Sequence, residues 1–62
     1  MKKPSCKLVG EDGNIFNLMG LASRTLKNAG QEEQAAEMRE RIFKSDSYDK
    51  ALQIIMEYVE VE

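Results

Sequence analysis

The chain has 62 residues, room for one domain at most, and a domain of that size buries only about 60% of the surface its unfolded form exposes. Nine basic against eleven acidic residues give a net charge of −2, which argues against a protein whose main task is to coat nucleic acid through counterion release. Hydrophobic residues make up 42% and charged residues 32%, enough for a small core with a hydrated surface; no apolar run nears the roughly 18–20 residues of a membrane span, so no membrane partner is expected.

Residues 1–5 are polar, carry Pro4, and read as a flexible tail before a single small domain over residues 6–62. The opening MKKPSCKLVG has two lysines but no apolar stretch behind them, so no signal peptide is expected. A cytoplasmic location follows, and the unpaired Cys6 agrees with it. Cys6–Val9 is a strand candidate. Gly10–Gly13 has turn chemistry, since glycine tolerates positive φ and Asp12-Gly13 is a common turn pair. A hairpin continuing into Asn14–Phe16 is the competing reading, but the periodicity after Asn14 is helical.

Stepping about 100° per residue from Ile15 puts Leu18, Met19, Ala22, Leu26 and Ala29 in one stripe. Asn14, or Asp12 just before it, suits the N-cap, and Gly30 suits the left-handed residue after the end. The first helix is therefore expected over 15–29. A second, over 31–43, has Glu32 and Glu33 in its first turn and Arg41 near its end, the order that complements the helix dipole. Its thinner stripe is Ala35, Met38 and Ile42, with Phe43 at the margin, and Glu37 to Arg41 is a favourable i,i+4 spacing. Ser45, Asp46 and Ser47 break that helix and offer caps for a third, over 47–57, with Tyr48, Ala51, Leu52, Ile55, Met56 and Val59 in its stripe. The ending EYVEVE alternates and favours extended structure, with Cys6–Val9 as its available strand partner. The fold class is thus α+β, mostly helical: a short N-terminal strand, three helices, and a short C-terminal strand pairing with the first in a direction left open.

The GEDG turn fails as a ligand loop. A P-loop needs Lys-Ser/Thr after its second glycine, and Asn14-Ile15 stands there instead. A nucleic-acid-clamping GxxG loop joins helices, whereas this one follows a strand, and Glu11 and Asp12 would repel phosphate. Calcium-loop spacing is also missing. Cys6 has no histidine anywhere in the chain to activate it, so it reads as a core thiol. One thiol without histidine makes a zinc site improbable, and the eleven carboxylates sit on helix faces and at caps. No catalytic residue, cofactor or metal is expected, and the chain is not expected to be an enzyme.

Two surfaces remain. Phe16, Leu21 and Ile54 fall outside the core stripes and together would form a patch for a protein partner or for self-association; a sheet edge offers a second docking route. Arg24, Lys27, Arg39, Arg41 and Lys44 on the first two helices would form a basic face for weak nucleic-acid binding. The second and third helices even mimic a helix-turn-helix, but the would-be reading helix brings only Lys50 and Gln53 to a groove.

The run KLVGEDGNIFNLMG, the Ala29-Gly30 break and the close SYDKALQIIMEYVEVE resemble a family of short uncharacterised proteins of phages and conjugative transposons from clostridia and related Gram-positive bacteria. The likeness runs from about Cys6 to Glu62, and its most specific pieces are the GEDGN turn and the YD…MEYVEV ending. It implies a cytosolic accessory protein of a mobile element and carries over no catalytic or binding residue. The expected function is a non-enzymatic interaction module, with the nucleic-acid binder as the alternative.

Overall fold

The computed structural model describes residues 3–62. In chain order it has β1 (Ser5–Cys6), α1 (Ile15–Asn28), α2 (Glu32–Lys44), α3 (Tyr48–Tyr58) and β2 (Glu60–Val61). The two strands pair in parallel, Ser5 opposite Glu60 and Cys6 opposite Val61. Parallel neighbours need a crossover connection, and here the whole three-helix bundle supplies it. The expected α+β architecture is the one observed, and the strand direction is now fixed.

The regular strand is shorter and one residue earlier than the expected Cys6–Val9. Its ladder nonetheless continues: the Glu62 carbonyl accepts from both Leu8 N (2.8 Å) and Val9 N (2.9 Å). Val9 and Gly10 then turn, with Glu11 N donating to Leu8 O at 3.1 Å and Gly10 at φ +88°, a region that favours glycine. The expected tail needs correction at residues 3–5. Ser5 lies in the sheet, Pro4 O accepts from Glu60 N at 2.8 Å, and the Lys3 ammonium donates to Met56 O at 3.0 Å. Met1 and Lys2 lie outside the described residues.

Local chemistry sets the helix ends. The Asn14 side chain caps α1 by accepting from Phe16 N at 2.8 Å, while Asp12 accepts from Asn14 N at 3.0 Å and so braces the cap. Past the other end, Gly30 takes φ +76°; its N–H donates to Lys27 O (3.0 Å) and Gln31 N to Leu26 O (2.8 Å), the paired bonds of a Schellman motif. Ala29, expected in the core stripe, is therefore the exposed C-cap. Of the three residues offered as caps between α2 and α3, Ser47 takes the role, accepting from Lys50 N at 3.1 Å.

Leu26, Met38, Ile55 and Val59 are the largest fully buried side chains, so each helix and the α3–β2 junction contributes to one centre. Cys6 is buried with them, as a core thiol should be. The α3 stripe differs from expectation in its centre line. Ala51 and Ile55 are buried and Ile54 and Tyr58 pack beside them, so the buried side lies toward the Ile54 flank. Met56 consequently comes to the surface, 48% exposed, and Tyr48, at the first position of the helix, is 46% exposed. Phe43 follows the same logic on α2: one residue past Ile42, about 100° off the line, it is 64% exposed.

Candidate functional site

Neither phenylalanine is in the core. Phe16 is 61% exposed, and its ring meets that of Phe43 with centroids 6.2 Å apart, tilted by 39°. Phe16 follows Ile15 as Phe43 follows Ile42, so each ring stands one position off a side chain that packs inward. This pair, with Ile15, Ile42, Ala51 and Tyr48, lines a shallow cleft where α1 meets the α2–α3 link.

Tyr48 also borders a second groove, of about 330 Å³, between the β-turn region and α3. Leu8, Val9, Met56 and Val61 form its walls, Leu18 and Ile55 its floor, and Glu11 is its single charged residue. The Tyr48 hydroxyl donates to the Gly13 carbonyl and so ties the start of α3 to the turn before α1. Among the described residues, every large hydrophobic side chain that is strongly exposed lines one of these two clefts: Val9, Phe16, Phe43, Tyr48, Met56 and Val61. They form one apolar face with Tyr48 at the join.

That face differs from the expected patch. Phe16 belongs to it, but Leu21 and Ile54 are half-buried and pack against the core. Ile54 lies instead beside Arg41, Lys44 and Glu57 on the α2–α3 seam. Sequence reasoning missed Val9, Tyr48, Met56 and Val61 because each fits a strand or helical pattern that serves the core equally well. A signal was available for Phe43, already marginal in its stripe.

The five basic residues split into two groups. Arg41 crosses to α3 and forms a two-pronged bridge to Glu57, 2.7 and 3.0 Å, rather than the expected pair with Glu37. Glu37 instead accepts the Tyr58 hydroxyl, to which Arg41 also donates at 3.2 Å. The Arg41 guanidinium lies 5.7 Å from the Tyr58 ring centroid, within cation–π range. The hydrogen bond that Arg41 donates to Glu57 holds the carboxyl below its ordinary range, and that bond and the one Arg41 donates to Tyr58 raise Arg41 further. Desolvation, then the hydrogen bond to Glu37, raises the Tyr58 phenol. Lys44 bridges Glu40 at 3.0 Å. Both cations of this group are thus already matched by carboxylates.

Arg24, Lys27 and Arg39 converge on a different cleft, between α1 and α2, with Ser23 and Asn28 and no carboxylate in its lining. Arg39 donates to the buried Ser23 hydroxyl at 2.5 Å, which fixes one cation of the three. The reading-helix candidates do not join this cleft. Lys50 bridges Asp46 at 3.0 Å, and both Lys50 and Gln53 lie with Arg41 and Lys44.

Among the described residues there is no group of three His, Cys, Asp or Glu side chains placed to hold a metal ion, and no helix is long and apolar enough to cross a membrane. Compared with known proteins, the chain has no significant match to a family model, a curated protein or a solved structure.

Proposed function

We propose that this protein is a non-enzymatic interaction module that docks a protein partner through the apolar face centred on Tyr48. One observation carries the reading: both phenylalanines stand more than 60% exposed on that face. Phenylalanine is among the residues most often buried, and scattered single hydrophobes are ordinary, but a contiguous set rimming two joined clefts marks an interaction surface. A polar rim is at hand in Glu11 and Ser47. The resemblance to short proteins of phages and conjugative transposons supports an accessory role in a mobile element, in the cytoplasm and without a cofactor.

The test is capture from host cells with the wild-type chain and with Phe43→Asp. A protein retained by the first and lost with the second is the expected result. Identical sets with both would remove the reading.

The cleft of Arg24, Lys27 and Arg39 favours a second reading, weak binding to a nucleic-acid backbone, because three cations gather there without a carboxylate. Three phosphate contacts imply a slope of log K on log salt of about −3 for duplex DNA. Oligonucleotide titrations at low and moderate salt, with charge reversal of these three residues, decide it; no binding at low salt excludes it.

A further inference from the structure

We infer that the partner taken by the Tyr48 face is a second copy of this chain, docked about a two-fold axis that passes near Tyr48. The inference rests on the docking reading above and names its occupant. Three observations converge on it.

The first is area. The six exposed side chains present on the order of 600 Å² of largely apolar surface, close to the roughly 800 Å² that each partner buries in an ordinary stable interface. That is a large share of a chain whose whole accessible surface is 4175 Å².

The second is self-complementarity. An isologous interface puts one patch against itself, so an element on one side of the axis meets a different element of the other copy. Here an exposed ring pair, Phe16 and Phe43, and an apolar groove lie on one face with Tyr48 bordering both. Rotation about Tyr48 seats each ring pair in the partner's groove. A cavity of about 150 Å³ holds a benzene ring, so a groove of about 330 Å³ has space for the pair.

The third is charge. Among the described residues, Glu11 is the one charged side chain lining either cleft, so these residues bring no cluster of like charges against itself across the axis. A net charge of −2 per chain also keeps repulsion between copies small. Burial of the face in a dimer also adds apolar contact to a core that, with Cys6 as the one cysteine of this sequence, no disulfide within it supplements.

Sedimentation equilibrium of the full chain, from micromolar to millimolar, gives the decisive mass. The expected result is a concentration-dependent dimer in the wild type, with Phe43→Asp raising the dissociation constant about 30-fold, as for a central anchor residue. Val9→Asp, at the opposite side of the face, should act in the same direction, and Lys27→Glu, off the face, should leave the dimer intact. Helical circular dichroism confirms that each variant is folded. In mixed labelled and unlabelled protein, magnetisation transfer between chains should connect the Phe43 ring with the Met56 methyl. A wild-type monomer throughout the range overturns the inference, as does a dimer that neither Phe43→Asp nor Val9→Asp weakens. If the wild type is monomeric while host-cell capture still separates it from Phe43→Asp, the second copy falls and the docking face stands. If capture fails to separate them as well, both fall.

Discussion

Tyr48 and Tyr58 open and close the same helix, and their surroundings are opposites. Tyr58 is half-buried: its hydroxyl donates to Glu37 and receives Arg41, whose guanidinium is in turn engaged by Glu57. Two helices are clasped there, and the charged groups answer one another. Tyr48 makes one backbone hydrogen bond, to Gly13, and is otherwise bordered by two apolar clefts whose outer side chains face solvent. The α2–α3 hairpin therefore has a polar end that satisfies itself and an apolar loop end that does not. Polar contacts between the helices gather at one end of the pair and exposed apolar side chains at the other.

The comparison can be broken at several strengths. Ile55→Ala removes a fully buried side chain on which both ends depend, and should cost about 2–5 kcal/mol in a denaturant titration. For a domain of this length, whose total stability is of the order of 3–9 kcal/mol, that removes a large share of it. A loss under 1 kcal/mol would mean that the two ends are held by separate contacts. Ser47→Ala, which deletes the α3 cap beside Tyr48, should cost about 1 kcal/mol, read as a lower thermal midpoint.

Tyr58→Phe should cost about 0.5–1 kcal/mol, because Glu37 and Arg41 both lose the shared hydroxyl. Tyr48→Phe, which removes an exposed hydrogen bond, should cost less than Tyr58→Phe in the same assay. The reverse order would show that the loop end, not the clasp, secures α3.

Acid probes the clasp separately. Because Arg41 lowers the Glu57 pKa in the folded state, that carboxylate binds protons less readily folded than unfolded. Its contribution is present above the ordinary value near 4.5 and is lost as pH falls through the lowered folded value. The stability difference between wild type and Glu57→Gln should accordingly shrink as pH drops below about 4.5, tracked by urea midpoints. A difference independent of pH would mean the Arg41–Glu57 bridge is not formed in solution. Smallest of all, Phe43→Asp should change the stability of the monomeric chain by no more than about 0.5 kcal/mol, since an exposed ring contributes little to folding. A loss above 1 kcal/mol would make the Phe16–Phe43 contact structural and weaken the case for a docking face.

Much of the fold was legible because its signals are local. Asn14 and Gly30 mark the ends of α1 as expected, and Ser47 takes the one cap for which Ser45, Asp46 and Ser47 were all candidates. The stripes of Leu18, Leu26, Met38 and Ile55 announce burial through period alone. The candidate site was less legible. Phe16 is exposed, as its place outside the stripe implied, yet its neighbour Phe43 comes from another helix, and the groove walls come from β2, α3 and the turn before α1. Arg41 had a good partner four residues earlier in Glu37, but Glu57 and Tyr58 across the seam offered a bidentate bridge and a ring.

By itself the sequence determined the three helices, the Asn14 and Gly30 ends of the first, the thiol in the core and the pairing of the two short strands, because periodicity and capping act over one or two turns and two lone strands have only each other to pair with. Tertiary structure alone decided which edge of each stripe faces inward. A helix buries only the strip its neighbours cover, and the position of those neighbours is not written in its own residues. That choice left Ile54 half-buried and put Met56 and Phe43 outside, beside the exposed Tyr48 at the start of α3.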